Sequence, residues 1–262
     1  MLKIKELSFI KRKFKGLLLH IYNIMENNDN CDFNINGEKF LVDQVLSLFK
    51  DKIQIFDIGA NIGNYSQMLI SECNQRGLDY KIHIFEPTNP CIKILEEKFK
   101  TNNKIIINKF GVSNKSIEST IYYDAETSGF SSLYQRDLKS ENVELNIAEN
   151  IKLKRLDEYI RENDIQKINF IKIDIEGHEI AAFNGLGEYL NNDFIDIIQF
   201  EYGSTNLDSR TNLLDFYKLF ESRGFEILKI RKKYLERRIY NRKHDTFQYS
   251  NFVAISKKLL VK

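Results

Sequence analysis

An apolar strand breaks at a glycine, and a helix follows, in Ile53-Gln54-Ile55-Phe56-Asp57-Ile58-Gly59-Ala60-Asn61-Ile62-Gly63-Asn64-Tyr65. Because Gly59 has no side chain, the chain can turn sharply there and a ligand can approach the backbone closely. The turn is expected to leave free backbone N–H groups beyond the carboxyl end of the strand, where open α/β sheets bind their ligands. The sequence therefore predicts a ligand site at this turn.

The spacing of the two glycines narrows the type of ligand. Gly59 and Gly63 form a GxxxG pattern. Dinucleotide sites carry GxGxxG instead, and phosphate-binding loops end in Gly-Lys-Ser or Gly-Lys-Thr. The turn lacks both patterns, so a cofactor without a pyrophosphate is favoured.

Two carboxylates stand at the ends of neighbouring strands. Asp57 closes the first strand, and Glu86 closes the next apolar run. A carboxylate at Glu86 can accept both hydrogen bonds from a ribose diol, while Asp57 suits the ammonium group of an amino acid. Together they indicate a nucleoside cofactor that carries an amino-acid group. The alternative is a tight strand–helix turn in which Asp57 caps the helix and Glu86 lies on the surface.

The rest of the chain alternates short apolar runs with segments of helical periodicity, which is typical of βαβ units and a mostly parallel sheet. The strands are expected at Ile53–Asp57, Lys81–Phe85, Lys104–Asn108, Phe170–Asp174, Ile195–Glu201, Phe225–Ile230 and Phe252–Ser256. The helices are expected at Lys39–Phe49, Tyr65–Arg76, Asn89–Phe99, Glu179–Leu190 and Thr211–Arg223. These patterns predict an α/β domain over residues 51–262, with a seven-stranded sheet covered by helices on both faces, after a helical extension over residues 1–50.

Two segments interrupt this alternation. Ile117–Asp124 has the pattern of an additional strand. Ser128–Ile147 is a polar connection with little periodicity. Long connections of this kind in compact domains often act as substrate loops or lids.

Several motifs, in order along the chain, resemble the FkbM-type methyltransferases. They are Phe56-Asp57-Ile58-Gly59-Ala60-Asn61-Ile62-Gly63, Phe85-Glu86-Pro87, Ser131-Ser132-Leu133, Leu156-Asp157, Ile171-Lys172-Ile173-Asp174-Ile175-Glu176-Gly177-His178-Glu179 and Gln199-Phe200-Glu201. The resemblance covers roughly residues 50–257 and is most specific in the motif that contains Asp174. It implies a Rossmann-like class I methyltransferase fold, S-adenosylmethionine as the cofactor, and transfer of its methyl group to hydroxyl groups, frequently on sugars or polyketides.

The resemblance also implies a set of cofactor-binding residues. These are Asp57, Gly59, Asn61, Gly63, Glu86, Pro87, Phe110, Ser132 and Asp174. Phe110 follows the third strand, where this fold usually brackets the adenine. Ser131 and Ser132 lie in the irregular connection, where their hydroxyl groups could bind the cofactor or the acceptor, or simply form a turn.

The same resemblance assigns the chemistry to Asp174, Glu176 and His178, with Glu201 at the end of the next strand. An alcohol attacks an activated methyl group poorly unless its proton is removed. In one mechanism His178 or a carboxylate is the general base. In the other, Asp174 and Glu201 hold Mg²⁺ or Mn²⁺, which lowers the pKa of the hydroxyl. The sequence does not separate the two, although the layout of several metal-dependent methyltransferases favours the second.

Each of these residues has a structural alternative. Asp174 could cap the following helix, Glu176 could complement the positive end of that helix, and His178 could be a solvated first-turn residue.

Composition limits the partners. The chain has 39 basic and 37 acidic residues, a formal net charge of +2, and no field strong enough to indicate a nucleic-acid partner. Its three cysteines form no CxxC pair and no zinc-finger spacing, which fits a reducing cytoplasm.

Two basic segments suggest additional contacts. Residues Leu2 to Ile24 show helical spacing of apolar residues with a basic opposite side, but no apolar run long enough for export or for a membrane span. This helix could pack on its own domain, on a second subunit in a homodimer, or weakly on anionic lipid. The stretch from Lys229 to His244 links two strands and could bind RNA or the diphosphate of a sugar nucleotide, or simply be solvated.

The sequence as a whole predicts an O-methyltransferase that acts on a carbohydrate hydroxyl, in a sugar nucleotide or a glycan unit. One alternative is an RNA or protein methyltransferase. The other is a non-catalytic cofactor-binding module, attached to a glycan assembly complex through the basic N-terminal helix.

Overall fold

A central sheet of eight strands organises the protein, whose computed structural model describes residues 5–260. The strands, numbered in chain order, are β1 (Lys52–Ile58), β2 (Asp79–Phe85), β3 (Ile105–Asn108), β4 (Gly111–Val112), β5 (Ile117–Tyr123), β6 (Ile147–Lys154), β7 (Ile168–Ile173), β8 (Ile195–Tyr202), β9 (Phe225–Arg231), β10 (Tyr234–Arg237) and β11 (Ser250–Ser256). The central sheet has the order β10-β9-β11-β8-β7-β1-β2-β3, and the other three strands form a second sheet.

The middle of the central sheet is parallel. Strand β1 pairs in parallel with β2 and β7, and β7 pairs in parallel with β8. Strand β11 runs antiparallel between β8 and β9. Parallel strands that are covered on both faces consist of nearly continuous apolar runs, as in Ile168–Ile173. The carboxyl ends of β1, β2, β7 and β8 therefore meet at one edge of the sheet.

Helices cover both faces. They are α1 (Phe9–Glu26), α2 (Glu38–Ser47), α3 (Asn64–Gln75), α4 (Asn89–Phe99), α5 (Leu156–Glu162), α6 (Glu179–Asn184), α7 (Thr205–Ser209), α8 (Leu213–Glu221) and α9 (Lys257–Leu260). Side chains of α5, α6 and α8 form one apolar core with one face of the sheet. Side chains of α2, α3 and α4 form the core on the other face. The expected α/β architecture is confirmed.

The second sheet has the order β4-β6-β5 and lies near the carboxyl edge of the central sheet. Strands β5 and β6 form an antiparallel pair whose inner side chains, Ile121, Tyr123, Ile151 and Leu153, form a small apolar cluster. The predicted extra strand is therefore present, but it belongs to a separate sheet. The polar connection between β5 and β6 folds back so that Ser132 pairs with Tyr122.

The first two helices differ in their packing. Helix α2 buries four apolar side chains, Leu41, Val42, Val45 and Leu46, in the core. Helix α1 has no buried side chain. The helix predicted over residues 2–24 begins at Phe9. Residues 5–8 are not helical, and residues 2–4 lie outside the described range. The division of the chain at residue 50 stays a prediction.

The sheet has one strand more than expected. Strand β10 lies in the basic segment that was expected to be a plain connection, because Tyr234–Arg237 folds back on β9 as a hairpin. The helix predicted at Glu179–Leu190 ends at Asn184, and the chain continues as a 3₁₀ turn over Gly187–Tyr189 that begins at Gly187 with a left-handed φ of 55°.

Candidate active site

Two cavities share one wall at the carboxyl edge of the central sheet. The first has a volume of about 750 Å³ and lies between the ends of β1 and β2 and the second sheet. The second is a cleft of about 1500 Å³ between the ends of β7 and β8 and the segment before α2. Both are lined by Gly59, Asn61, Gly129, Asp174 and Glu176. The two cavities therefore adjoin at these five residues.

The wall depends on the absence of a side chain at Gly59. This glycine has a φ of 80°, and a Cβ atom there would lie 1.8 Å from the carbonyl oxygen of Asp174. Strand pairing continues to this point, since the Asp174 N–H donates to the Ile58 carbonyl at 3.0 Å. Only glycine permits this backbone contact, as the sequence pattern predicts.

The first N–H groups of the turn are used within the protein. Gly59 and Ala60 donate to the Phe85 carbonyl at 2.9 and 3.3 Å, and Asn61 donates to Oε2 of Glu86 at 3.0 Å. These three groups are therefore not free for a ligand, contrary to the expectation, because the turn packs against the end of β2. The hydrogen bond from Asn61 instead orients the Glu86 carboxylate.

Glu86 is a buried carboxylate that faces the first cavity, with 6% of its surface exposed. Its Oε1 accepts hydrogen bonds from the Thr88 N–H at 3.0 Å and from the Thr88 hydroxyl at 2.6 Å. Burial raises the pKa of Glu86, while the Thr88 and Asn61 donors oppose that shift. An ionised carboxylate offers about four lone-pair sites, and Asn61 and Thr88 occupy three of them, so about one remains for a hydroxyl donor in the cavity.

An apolar surface forms much of the rest of the first cavity. It consists of Val112, Ile121, Leu133, Ile151 and Leu153, which come from the second sheet and its connection. With Glu86 in the same cavity, the site can hold a molecule with one apolar ring and one hydroxylated part.

Phe110 is placed differently from the expectation. Its ring packs edge-on against Phe85 and Tyr159, with ring centroids 5.6 and 5.8 Å apart, and it is absent from the lining of both cavities. The apolar lining of the first cavity comes instead from the second sheet and its connection, and a contact of Phe110 with the adenine stays a prediction. The alternating pattern of Ile117–Tyr123 was the available signal for that surface.

Two other expected cofactor residues lie beneath the cavities. Asp57 is fully buried, accepts a hydrogen bond from the Ser66 hydroxyl, and lines neither cavity. Gly63 precedes α3 with a φ of 76° and packs against Leu95 and Phe99. Asp57 and Gly63 thus contribute to the packing around the turn, and their role in binding the cofactor stays a prediction.

The remaining expected cofactor residues lie at or beside the first cavity. Pro87 lines it, and so does Ser131. Ser132 is buried, and its hydroxyl contacts the Glu176 carbonyl at 3.4 Å. The serine pair therefore connects the irregular β5–β6 connection to the shared wall.

The second cavity is lined by four carboxylates and a buried lysine. The carboxylates are Glu38, Asp174, Glu176 and Glu201. Lys172 is 5% exposed, and its Nζ lies 3.1 Å from Oδ2 of Asp174. Although burial opposes the charge of Lys172, the surrounding carboxylates, Asp174 foremost, raise its pKa above the ordinary value. The cleft therefore contains a permanent internal cation.

Glu201 is held by a tyrosine. The hydroxyl of Tyr249 donates to Oε1 of Glu201 at 2.7 Å. Burial raises the pKa of Glu201 well above its ordinary value, and the charge of Asp174 adds to the shift while Lys172 opposes it. Glu201 is thus a strongly perturbed carboxyl group in the wall of the cleft.

The predicted metal ligands each have a partner within the protein. The ammonium group of Lys172 lies beside Asp174, and the hydroxyl of Tyr249 lies beside Glu201. Within residues 5–260, no group of three or more His, Cys, Asp or Glu side chains is arranged to hold an ion. Binding of Mg²⁺ or Mn²⁺ by Asp174 and Glu201 stays a prediction.

Glu176 has a φ of 52° and lies in both cavities. Nη1 of Arg136 donates to its Oε2 at 2.9 Å, and Nε of the same arginine donates to Asp208 at 3.1 Å. Burial raises the pKa of Glu176 to about 8, with a further contribution from Asp174 and an opposing one from Arg136. Burial therefore shifts the pKa of this carboxyl group toward neutral pH, and the hydrogen bond from Arg136 limits the shift.

His178 holds two loops together. Its Nε2 lies 2.9 Å from the Ser113 hydroxyl, and its Nδ1 lies 2.9 Å from the Tyr134 hydroxyl. Burial lowers the pKa of His178 to about 4, so the ring is neutral at physiological pH. Both nitrogens have partners, which makes this side chain better suited to positioning the β5–β6 connection than to accepting a proton.

Sequence reasoning missed several residues of the second cavity. Lys172 lies in the motif that contains Asp174, but the sequence predicted no function for it. It also predicted none for Arg136 or Tyr249. The cleft is also lined by Cys31 and Phe33, which precede α2, and by Glu38, the first residue of α2. A lysine inside an otherwise apolar strand was the clearest available signal, since buried lysines require partners.

Comparison with known proteins places this geometry in context. The model of the methyltransferase FkbM domain matches residues 57–227. Hexuronic acid methyltransferase AglP of Haloferax volcanii is 22% identical over 187 residues, which cover 71% of each chain. Methyltransferase 1 of Beauveria bassiana is 24% identical over 194 residues, or 68% of this chain and 74% of that protein.

A solved structure gives a similar alignment. The crystal structure of methyltransferase FkbM from Methylobacillus flagellatus aligns with 92% of this chain at a TM-score of 0.48 and 14% identity. The alignment spans 60% of the length of that chain.

Replacing the buried cation tests the electrostatics of the cleft. Lys172→Met is expected to lower the free energy of unfolding by about 3–5 kcal/mol, because it leaves buried carboxylates without their partner. Urea denaturation at pH 7 measures this change. Lys93→Met, at an exposed lysine, serves as the control and should change stability by less than about 0.5 kcal/mol. Equal stabilities of the two variants would contradict the role given to Lys172.

Proposed function

The chain belongs to the FkbM methyltransferase family, and we propose that it is an S-adenosylmethionine-dependent O-methyltransferase acting on a hydroxyl group of a carbohydrate. The observation that carries the proposal is the set of residues shared by the two cavities, where the cavity that contains Glu86 and an apolar surface adjoins a cleft rich in carboxylates. A methyl donor on one side and a hydroxyl acceptor on the other would meet at Gly59 and Asp174.

The first cavity suits the adenosyl part of the cofactor. Glu86 would accept a hydrogen bond from a hydroxyl of the ribose diol, and the apolar surface of Val112, Ile151 and Leu153 would contact the adenine. When bound, S-adenosylmethionine supplies a methyl group that is already activated for transfer. The protein therefore has to align the acceptor oxygen and remove one proton.

Glu176 is the proposed proton acceptor. A general base works best when its pKa lies near the working pH, and burial raises the pKa of Glu176 to about 8. As the acceptor oxygen bonds to the methyl carbon and the carbon–sulfur bond breaks, the hydroxyl proton would pass to Glu176. Asp174, fixed by Lys172, would orient the hydroxyl group. His178 would keep the Ser113 and Tyr134 loops in place.

The second cavity suits a carbohydrate. Its lining combines carboxyl groups, which can bind hydroxyl groups, with four aromatic side chains. These are Phe33, Tyr65, Phe130 and Tyr249. The name of the Haloferax relative, a hexuronic acid methyltransferase, supports a sugar acceptor. A glycan unit and the sugar of a sugar nucleotide both fit this chemistry. The basic segment from Lys229 to His244 lines neither cavity, so it gives no support for a diphosphate site.

The cofactor assignment is tested at Glu86. Glu86→Ala is expected to weaken binding of S-adenosylmethionine by about 1–3 kcal/mol, because the ribose loses a charge-assisted hydrogen bond. Isothermal titration calorimetry measures the affinity. Glu97→Ala, at an exposed glutamate of α4, should bind as the unmodified protein does. Unchanged affinity in Glu86→Ala would refute the assignment of the ribose to this carboxylate.

The proton acceptor is tested through the pH profile. Glu176 accepts a proton only when ionised, so kcat/KM should rise about tenfold per pH unit below pH 8 and level off above it. In Glu176→Gln the rise should vanish, and the plateau should fall by about 10²–10⁴-fold. Asp208→Asn removes the other carboxylate partner of Arg136 and should keep the original profile. A Glu176→Gln variant with the original profile would exclude Glu176 as the base.

The function itself is tested by an acceptor screen. Neutral, amino and acidic sugars, free, glycan-linked and nucleotide-linked, are incubated with S-adenosylmethionine and analysed for a mass gain of one CH₂ group. We expect acceptor-dependent release of S-adenosylhomocysteine with at least one sugar, and equal rates with and without EDTA, since Lys172 supplies the cation of the cleft. Loss of activity in EDTA with recovery in Mg²⁺ or Mn²⁺ would instead favour a metal. Methylation of RNA or protein substrates alone would refute the proposal.

A further inference from the structure

Helix α1 carries an apolar face with no partner among the described residues. Its 18 residues include no buried side chain. Ile10 is 78% exposed, Phe14 60% and Leu17 53%, although such side chains are normally covered. An exposed apolar surface of this extent usually marks an interaction site.

The helix is amphipathic and strongly basic. One side of the helix carries apolar residues at the spacing of a helix face, which are Ile10, Phe14, Leu17, Leu18, Ile21 and Met25. Its basic residues are Lys11, Arg12, Lys13 and Lys15, and Glu26 is its only acidic residue. A helix with this pattern has one apolar side and an excess of positive charge near its amino end.

The carboxyl end of α1 is fixed to the domain. Oε2 of Glu26 lies 3.2 Å from Nζ of Lys229, 3.3 Å from Nη2 of Arg231 and 2.8 Å from Nη1 of Arg238. Nδ2 of Asn27, which ends the helix, donates to the carbonyl of Asn36 at 2.6 Å. The negative charge of Glu26 is thus used at this attachment and does not balance the basic residues of the helix.

We propose that α1 lies in the plane of an anionic lipid surface, with its apolar face in the acyl region and its basic residues at the head groups. Charge complementarity favours lipid over a second copy of the chain, because a second copy would bring another basic cluster and no free acidic residue on α1. Across residues 5–260, no helix combines the length and apolar character that a membrane crossing needs. Helix α1 has instead the features of an interfacial helix.

Such attachment would bring the cleft to the lipid surface. The segment between α1 and α2 contributes Cys31 and Phe33 to the second cavity, and α2 contributes Glu38. The same short piece of chain therefore connects the lipid-binding helix to the site of the acceptor.

Cosedimentation of the full chain with vesicles tests the proposal. Binding to vesicles of phosphatidylcholine and phosphatidylglycerol is expected, with much weaker binding to phosphatidylcholine alone and with loss at high salt. Replacing Lys11, Arg12, Lys13 and Lys15 by Gln should weaken binding on the order of a thousandfold. Replacing the exposed Ile10 and Phe14 by Gln should weaken it by about tenfold or more.

A control variant with the same change in charge separates the helix from the net charge of the protein. It replaces the exposed residues Lys93, Lys115, Lys232 and Lys233 by Gln and should bind like the unmodified chain. Equal loss in both charge variants, or no vesicle binding by the unmodified chain, would overturn the proposal. A lipid-free dimer in sedimentation velocity that dissociates in the Ile10 and Phe14 variant would also overturn it, because a second copy would then cover this face.

Discussion

The ammonium group of Lys172 is the interaction on which the acidic cleft depends. It lies inside the sheet on β7, is 5% exposed, and contacts Asp174 at 3.1 Å. Taking several carboxylates out of water is costly unless a cation is buried with them. The burial that raises the pKa of Glu201 is opposed by the charge of Lys172, and the burial that raises the pKa of Glu176 is opposed by Arg136, which donates to it at 2.9 Å. The acidic cleft thus depends on Lys172, with Arg136 as a second cation in its wall.

A backbone contact between β1 and β7 places the acidic cleft next to the first cavity, which contains Glu86. The ends of β1 and β7 approach so closely that only glycine fits at position 59. The same turn hydrogen-bonds to Glu86 on the far side. One short segment therefore orients the carboxylate proposed for the ribose and forms the wall across which transfer would occur. The second sheet, held through His178, covers the apolar side.

Local signals in the sequence predicted the parts of the site that depend on a single segment. The strand, the glycine turn and Glu86 were found this way, and the resemblance to the FkbM methyltransferases is confirmed by the match over residues 57–227. Parts that depend on distant pairing were missed: the apolar surface of the second sheet, the Arg136 contact to Glu176, and the use of the turn N–H groups by β2. No local pattern specifies which segments meet at a sheet edge.

The central claim is that the two cavities hold donor and acceptor on either side of one wall. A crystal structure of the protein with S-adenosylhomocysteine tests this most directly. The account predicts a ribose hydroxyl in hydrogen-bond contact with Glu86, the adenine against the second sheet, and the sulfur facing Gly59 and Asp174. A nucleoside bound in the cleft beside Lys172, or one without contact to Glu86, would contradict it.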